Sequence, residues 1–126
     1  MDNYQREEEA IDEQRFIDRG LRRLRKSSPD MVRSYMDFWR ATKKSSPIPA
    51  KYKELIQLAV VIHSCCKPCI FLHTRLCLQA GATPDEIIDA TMQAVAMGGG
   101  ISYEYAGYVM AALEYETKES TPKQGG

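Results

Sequence analysis

Apolar residues recur along this chain at the three- and four-residue spacing of a helix face, and no segment alternates convincingly with the two-residue period of a strand. Between residues 4 and 26, Ile11, Phe16, Ile17, Leu21 and Leu24 fall on one face of an otherwise charged stretch, which predicts an amphipathic helix. Its charge runs, Glu7-Glu8-Glu9 and Arg22-Arg23, read as solvated faces. Ser28-Pro29-Asp30 then offers a cap and a proline start for a second helix carrying Met31, Tyr35, Phe38 and Trp39, a stripe that reads as core or subunit interface. Ser45-Ser46-Pro47-Ile48-Pro49 breaks the pattern. It resumes from Tyr52 to His63 and is apolar nearly all round after Glu54, so this helix is expected to be buried.

A further helix is expected from near Lys67 to about Ala80, with Gly81 as a left-handed C-terminal cap. Thr83-Pro84-Asp85-Glu86 has the form of a capping box with proline at the first helical position, and it leads Ile87, Ile88, Met92 and Val95. Gly98-Gly99-Gly100 lacks the strand and Gly-Lys-Ser context of a phosphate loop and reads as a hinge between helices. The last helix, Ser102 to about Glu116, carries Tyr105, Tyr108, Val109, Ala112 and Leu113. The expected fold class is all-α: N-terminal helices over residues 1–46 that pack on the core or on a neighbouring subunit, a core over 47–116, and a disordered polar tail over 117–126.

Composition narrows the partners. The 126 residues suit one domain with a modest core, and 17 basic against 17 acidic residues leave no net field to draw in nucleic acid or an anionic membrane. The first residues are polar and acidic, unlike a secretion signal, and no apolar run approaches the roughly 18 residues of a membrane span. A cytoplasmic location is expected. In a reducing compartment a Cys-x-x-Cys pair is more often catalytic or metal-binding than a structural staple.

That pair lies in Cys65-Cys66-Lys67-Pro68-Cys69-Ile70-Phe71-Leu72-His73, which holds three of the four cysteines and one of the two histidines. In the first turn of a helix the α-carbons of Cys66 and Cys69 lie about 5 Å apart, a separation that a disulfide bridges without backbone movement. Unsatisfied N–H groups, the helix dipole and Lys67 all favour a thiolate there. His73 follows Cys69 by one turn and stands on the same face, placed to take or return a thiol proton.

Glu54 depends on how the chain turns. On one continuous helix it would lie about 28 Å from His73. Pro68 disfavours helix at Lys67, and a turn near Ser64 and Cys65 folds the two segments into an antiparallel hairpin that brings Glu54 and His73 level. A carboxylate there would orient the imidazole and raise its pKa. The inferred order is Glu54, His73, Cys69, Cys66.

The spacing E-x11-C-x2-C-x3-H over Glu54, Cys66, Cys69 and His73, followed by Leu78-Gln79-Ala80-Gly81-Ala82-Thr83-Pro84-Asp85-Glu86-Ile87, resembles the AhpD-like (alkylhydroperoxidase D) branch of the carboxymuconolactone decarboxylase family over roughly residues 48 to 115. The resemblance implies an all-helical bundle assembled as homotrimers or hexamers. It further implies a dithiol site that reduces hydroperoxides or disulfides, the cysteines cycling through a disulfide while Glu54 and His73 relay protons. The electron donor it implies is a dithiol, either a lipoylated protein or one similar to thioredoxin. No cofactor is implied. The chain departs from one alkylhydroperoxidase of the branch at Pro68, where that protein has a second active-site histidine, and in Cys65 and Cys77. The family's decarboxylases proper generally lack the Cys-x-x-Cys, although a decarboxylase-like enzyme is an alternative.

Other readings stay open. A zinc site from Cys66, Cys69, His73 and Cys77 is disfavoured because Cys66 and Cys77 would be about 16 Å apart along one helix. A partial site completed by Glu54 or another subunit is not. A thiol sensor, in which disulfide formation switches a partner surface, is the non-enzymatic alternative. Cys77 reads as a core cysteine and His63 as structural. Cys65 reads either as a buried small hydrophobe or as an alternative thiol.

Overall fold

The computed structural model describes the backbone of residues 3–44 and 47–120 and the side chains of residues 9, 12–44 and 47–118. The side chains of Glu7, Glu8 and Ile11, and all of Ser45, Ser46 and residues 121–126, lie outside what is described. Six helices follow in order: α1 (Asn3–Ser27), α2 (Pro29–Lys44), α3 (Ala50–His63), α4 (Lys67–Gln79), α5 (Pro84–Gly98) and α6 (Gly100–Ser120). The described residues contain no strand.

The last four helices form the bundle. α3 packs along α4 and α5, and α6 closes the other side against α4 and α5. Leu58 and Ile62 from α3, Ile70 and Cys77 from α4, Ile87 from α5 and Val109 from α6 are fully buried at its centre. Each aliphatic side chain so buried stabilises the fold by roughly 1.5–3 kcal/mol relative to exposure. Around α6, Tyr105 and Tyr108 meet edge-on at 5.5 Å, and Phe71 of α4 lies 6.5 Å from Tyr108.

The junctions follow the local sequence. A single residue, Ser28, separates α1 from α2; its N–H closes on Leu24 O (2.8 Å) and its carbonyl accepts from Val32 N–H (3.2 Å). The capping box of α5 forms as expected: Thr83 Oγ1 accepts from Glu86 N–H at 3.1 Å, and Glu86 Oε1 accepts from Thr83 N–H at 2.9 Å. Glu86 Oε2 also pairs with Lys51 Nζ at 3.0 Å, fastening the start of α5 to α3. These contacts, the Thr83 N–H foremost, hold the Glu86 carboxyl below its ordinary pKa. The glycine run is less a hinge than a one-residue joint, since Gly99 alone (φ 70°) separates α5 from α6. A Cβ on Gly98 would fall 1.9 Å from Ser102 Oγ, so that position is glycine for lack of room.

Two expectations need correction. α3 is not buried all round: Leu58 and Ile62 face the core, but Ile56 and Val60 are about half exposed. Of the two readings of the stripe on α2, core or subunit interface, the core one does not hold within this chain, since that helix has no buried residue and Met31, Tyr35 and Phe38 lie open. α1 touches α4 and α6, whereas α2 touches the bundle only along α3. Finally α6 runs past Glu116 to Ser120, its last turns held by Thr117 Oγ1 donating to Leu113 O (2.8 Å) and by a Lys118–Glu114 pair (3.0 Å).

Candidate active site

The site begins at the turn between α3 and α4. Cys65 N–H donates to Ile62 O (3.1 Å) and Cys66 N–H to Val61 O (3.2 Å), the paired closure that ends a helix through one left-handed residue. That residue is Cys65, at φ 58°. The same closure ends α4, where Gly81 N–H meets Leu78 O and Ala82 N–H meets Cys77 O, but there the left-handed position is a glycine at φ 93°. Left-handed backbone costs an L-residue roughly 1–2 kcal/mol, so the turn that sets the hairpin carries strain that Gly81 avoids.

The reversal sends Cys66 out in extended conformation as the N-cap of α4, with its carbonyl accepting from Ile70 N–H at 2.9 Å. Lys67 and Pro68 occupy the first two helical positions, where a missing N–H costs nothing. Cys69 follows, and it is joined to Cys66 in a disulfide with α-carbons 5.2 Å apart, both residues half-buried. The pair thus sits at the positive end of α4. The Lys67 ammonium, expected to act on the thiols, is engaged elsewhere: it lies 3.8 Å from Glu13 of α1 and 5.3 Å from the Tyr108 ring.

One turn beyond Cys69, His73 meets Glu54 across the hairpin. His73 Nδ1 and Glu54 Oε2 stand 3.9 Å apart, both side chains 11% exposed. Neither atom has a hydrogen-bond partner among the described residues, so the two face one another in the interior. The other oxygen of Glu54 accepts from Lys43 Nζ, which reaches in from the last turn of α2. Lys43 also donates to Gln57 Oε1 at 2.8 Å, and its ammonium lies 4.8 Å from the centre of the Trp39 ring.

The electrostatics differ from the sequence expectation. Glu54 does pull the His73 pKa upward, but burial pushes it down, the Lys43 ammonium adds to that push, and the net position is below the ordinary 6.5. The imidazole is therefore neutral near pH 7, a base rather than a cation. Burial raises the Cys77 thiol to about 12, with Glu54 adding to the effect, so it behaves as a core residue. Cys65 is half-buried, with Sγ 3.7 Å from His63 O. His63 is exposed at the end of α3, beside Gly98 of α5. Among the described residues no three His, Cys, Asp or Glu side chains group to hold a metal ion.

All four sequence-predicted residues thus fall along one hairpin, in the expected order. Lys43, Gln57 and Trp39 were not anticipated. The only signal for Lys43 was a basic residue ending a helix, and nothing in the spacing tied it to Glu54 across the Ser45–Pro49 break.

A family model described as the carboxymuconolactone decarboxylase family matches residues 29–112, which takes in α2 as well as the bundle. A carboxymuconolactone decarboxylase family protein of Legionella pneumophila, solved in its apo form, is similar at a TM-score of 0.80 and 29% identity, over 85% of this chain and 96% of that one. A second family protein, from Thermotoga maritima and described as a candidate for the antioxidative response, shares the fold at a TM-score of 0.70 and 24% identity, over 86% of this chain and 97% of that one. An uncharacterised protein of Cupriavidus necator is 27% identical over 98 residues, 78% of this chain and 87% of that protein.

Proposed function

The chain belongs to the carboxymuconolactone decarboxylase family, and from that membership we propose that it is a thiol–disulfide oxidoreductase of the AhpD-like type, reducing hydroperoxides or disulfides through Cys66 and Cys69. One observation carries the reading: the Cys66–Cys69 bridge opens α4, and the buried His73–Glu54 pair stands one turn behind it on the same hairpin. A structural disulfide has no need of a neutral imidazole and a carboxylate aligned behind it.

In the reduced protein, His73 accepts the proton of Cys69, and the resulting imidazolium is stabilised by Glu54. The thiolate attacks the terminal oxygen of a hydroperoxide; the O–O bond breaks, and the departing alkoxide takes up the proton from His73. The second cysteine then attacks the sulfenic acid, expels water and closes the Cys66–Cys69 bond, so that two thiols become one disulfide while the peroxide becomes an alcohol and water. With a disulfide as oxidant, the same thiolate forms a mixed disulfide that the second cysteine resolves. Exchange with an external dithiol, lipoylated or thioredoxin-like, returns both thiols.

The protein acts as a homo-oligomer, trimeric or hexameric, in this reading. The open apolar side chains of α2, with Ile56 and Val60 on α3 and Met97 and Ile101 at the α5–α6 joint, support such an assembly. Consumption of an alkyl hydroperoxide with a small dithiol as donor tests the activity. Turnover is expected in the wild type and is lost in both C66S and C69S with helical content unchanged; turnover that survives either substitution removes the mechanism.

A further inference from the structure

Lys43 stands where a surface lysine would not be placed. Its side chain is only 17% exposed, and its ammonium reaches from a helix that buries none of its residues to a buried carboxylate of the hairpin. Three contacts hold it: Glu54 Oε1, Gln57 Oε1 one turn further along α3, and the face of Trp39. A lysine that is merely solvated gives up none of its water. Removing this one from water is offset only by paired partners, and the paired partner is the carboxylate that faces His73.

We propose that Lys43 is a positioning residue of the relay: by occupying one oxygen of Glu54 it presents the other to His73. The kinetic consequence rests on the dithiol reading above; the geometry does not. A carboxylate with both oxygens free could swing off His73 or draw a proton onto it. With Oε1 engaged by Lys43, Oε2 is left facing Nδ1, and the cation behind it opposes premature protonation of His73. The proton then reaches His73 from a thiol rather than from solvent.

The charged groups acting on His73 are Lys43 from α2 and Glu54 from α3, with the high-pKa thiol of Cys77 one turn along α4 itself. α5 and α6 contribute Ile87 and Val109 to the same core cluster, and α6 adds Tyr108, which lies with Lys67 and, from α1, Glu13 at the start of α4. The arrangement also ties the N-terminal helices to catalysis, because the last turn of α2 supplies a part that the bundle itself lacks.

The test uses full-length wild type, K43M, K43R and K43Q. His73 is titrated by NMR of its imidazole nitrogens, with His63, the other histidine of the chain, as internal reference. In parallel, the rate of Cys66–Cys69 disulfide formation after one equivalent of hydroperoxide is followed from pH 5 to 8. In K43M and K43Q the His73 midpoint is expected to rise by about one pH unit, and the rising limb of the rate to move with it, about tenfold slower at a pH below both midpoints. K43R restores both toward wild type. K43Q keeps length and polarity and serves where K43M does not fold. A His73 midpoint unchanged in the neutral variants overturns the proposal, as does a rate that falls equally at every pH. If the wild type itself forms no Cys66–Cys69 disulfide, the dithiol reading fails, and the His73 titration alone decides the role of Lys43.

Discussion

Glu54 lies between two groups that pull it in different directions, an ammonium on one oxygen and an imidazole facing the other. Its charge raises the His73 pKa while burial and Lys43 lower it, and the balance leaves His73 neutral at physiological pH. The sign of a substitution follows. Glu54→Gln removes the one influence that raises the pKa, so the limb of the pH–rate profile set by His73 should move to lower pH, opposite to K43M. The plateau should fall by about tenfold as the ring loses its orienting partner. Disulfide formation measured by stopped flow across pH 5 to 8 checks both, and an unchanged profile returns Glu54 to a purely structural place on α3. Glu54, Cys66, Cys69 and His73 were legible in the sequence because spacing and one turn relate them. Lys43 was not, since its meeting with Glu54 depends on how α2 lies across a break that no spacing rule spans. The expected rise in the His73 pKa failed for the same reason: it counted the neighbour the sequence showed and not the burial and the second charge.

The α3–α4 hairpin positions everything the site uses, and its turn closes with a non-glycine residue in the left-handed region. Cys65 and Gly81 perform the same closure on successive helices, yet only one of them is the residue type that adopts it without cost. Cys65→Gly should therefore keep the Cys66–Cys69 bridge and raise stability by about 0.5–1 kcal/mol, read as a shift in the urea midpoint at unchanged slope. A loss of stability, or a disulfide that no longer forms, would show that the Cys65 side chain contributes more than its backbone strain removes. Local signals served well at this scale. The proline and capping residues placed the starts of α2, α4 and α5, and Gly81 placed the end of α4. The faces of α3 were harder. Leu55-Ile56-Gln57-Leu58-Ala59-Val60-Val61-Ile62 reads as buried on all sides, but a helix at the edge of a four-helix layer has an outer side, and periodicity cannot say that Ile56 and Val60 occupy it.

At the scale of the molecule, a bundle of α3 to α6 holds the dithiol while the N-terminal pair reaches the site from outside, α1 through Glu13 to Lys67 and α2 through Lys43 to Glu54. The all-α class was legible from periodicity alone. The open apolar side of α2 was not, because its stripe of Met31, Tyr35 and Phe38 satisfies the same pattern whether a core or another surface covers it. That Cys66 and Cys69 work as a redox pair is tested most directly by a thiol count by mass spectrometry on reduced protein, before and after one equivalent of hydroperoxide, with every disulfide mapped. A rapid Cys66–Cys69 bridge that a dithiol reverses, with Cys77 remaining a free thiol, is the predicted result. Cysteines 66 and 69 that both stay reduced, or that pair with Cys65 or Cys77 instead of each other, would contradict it.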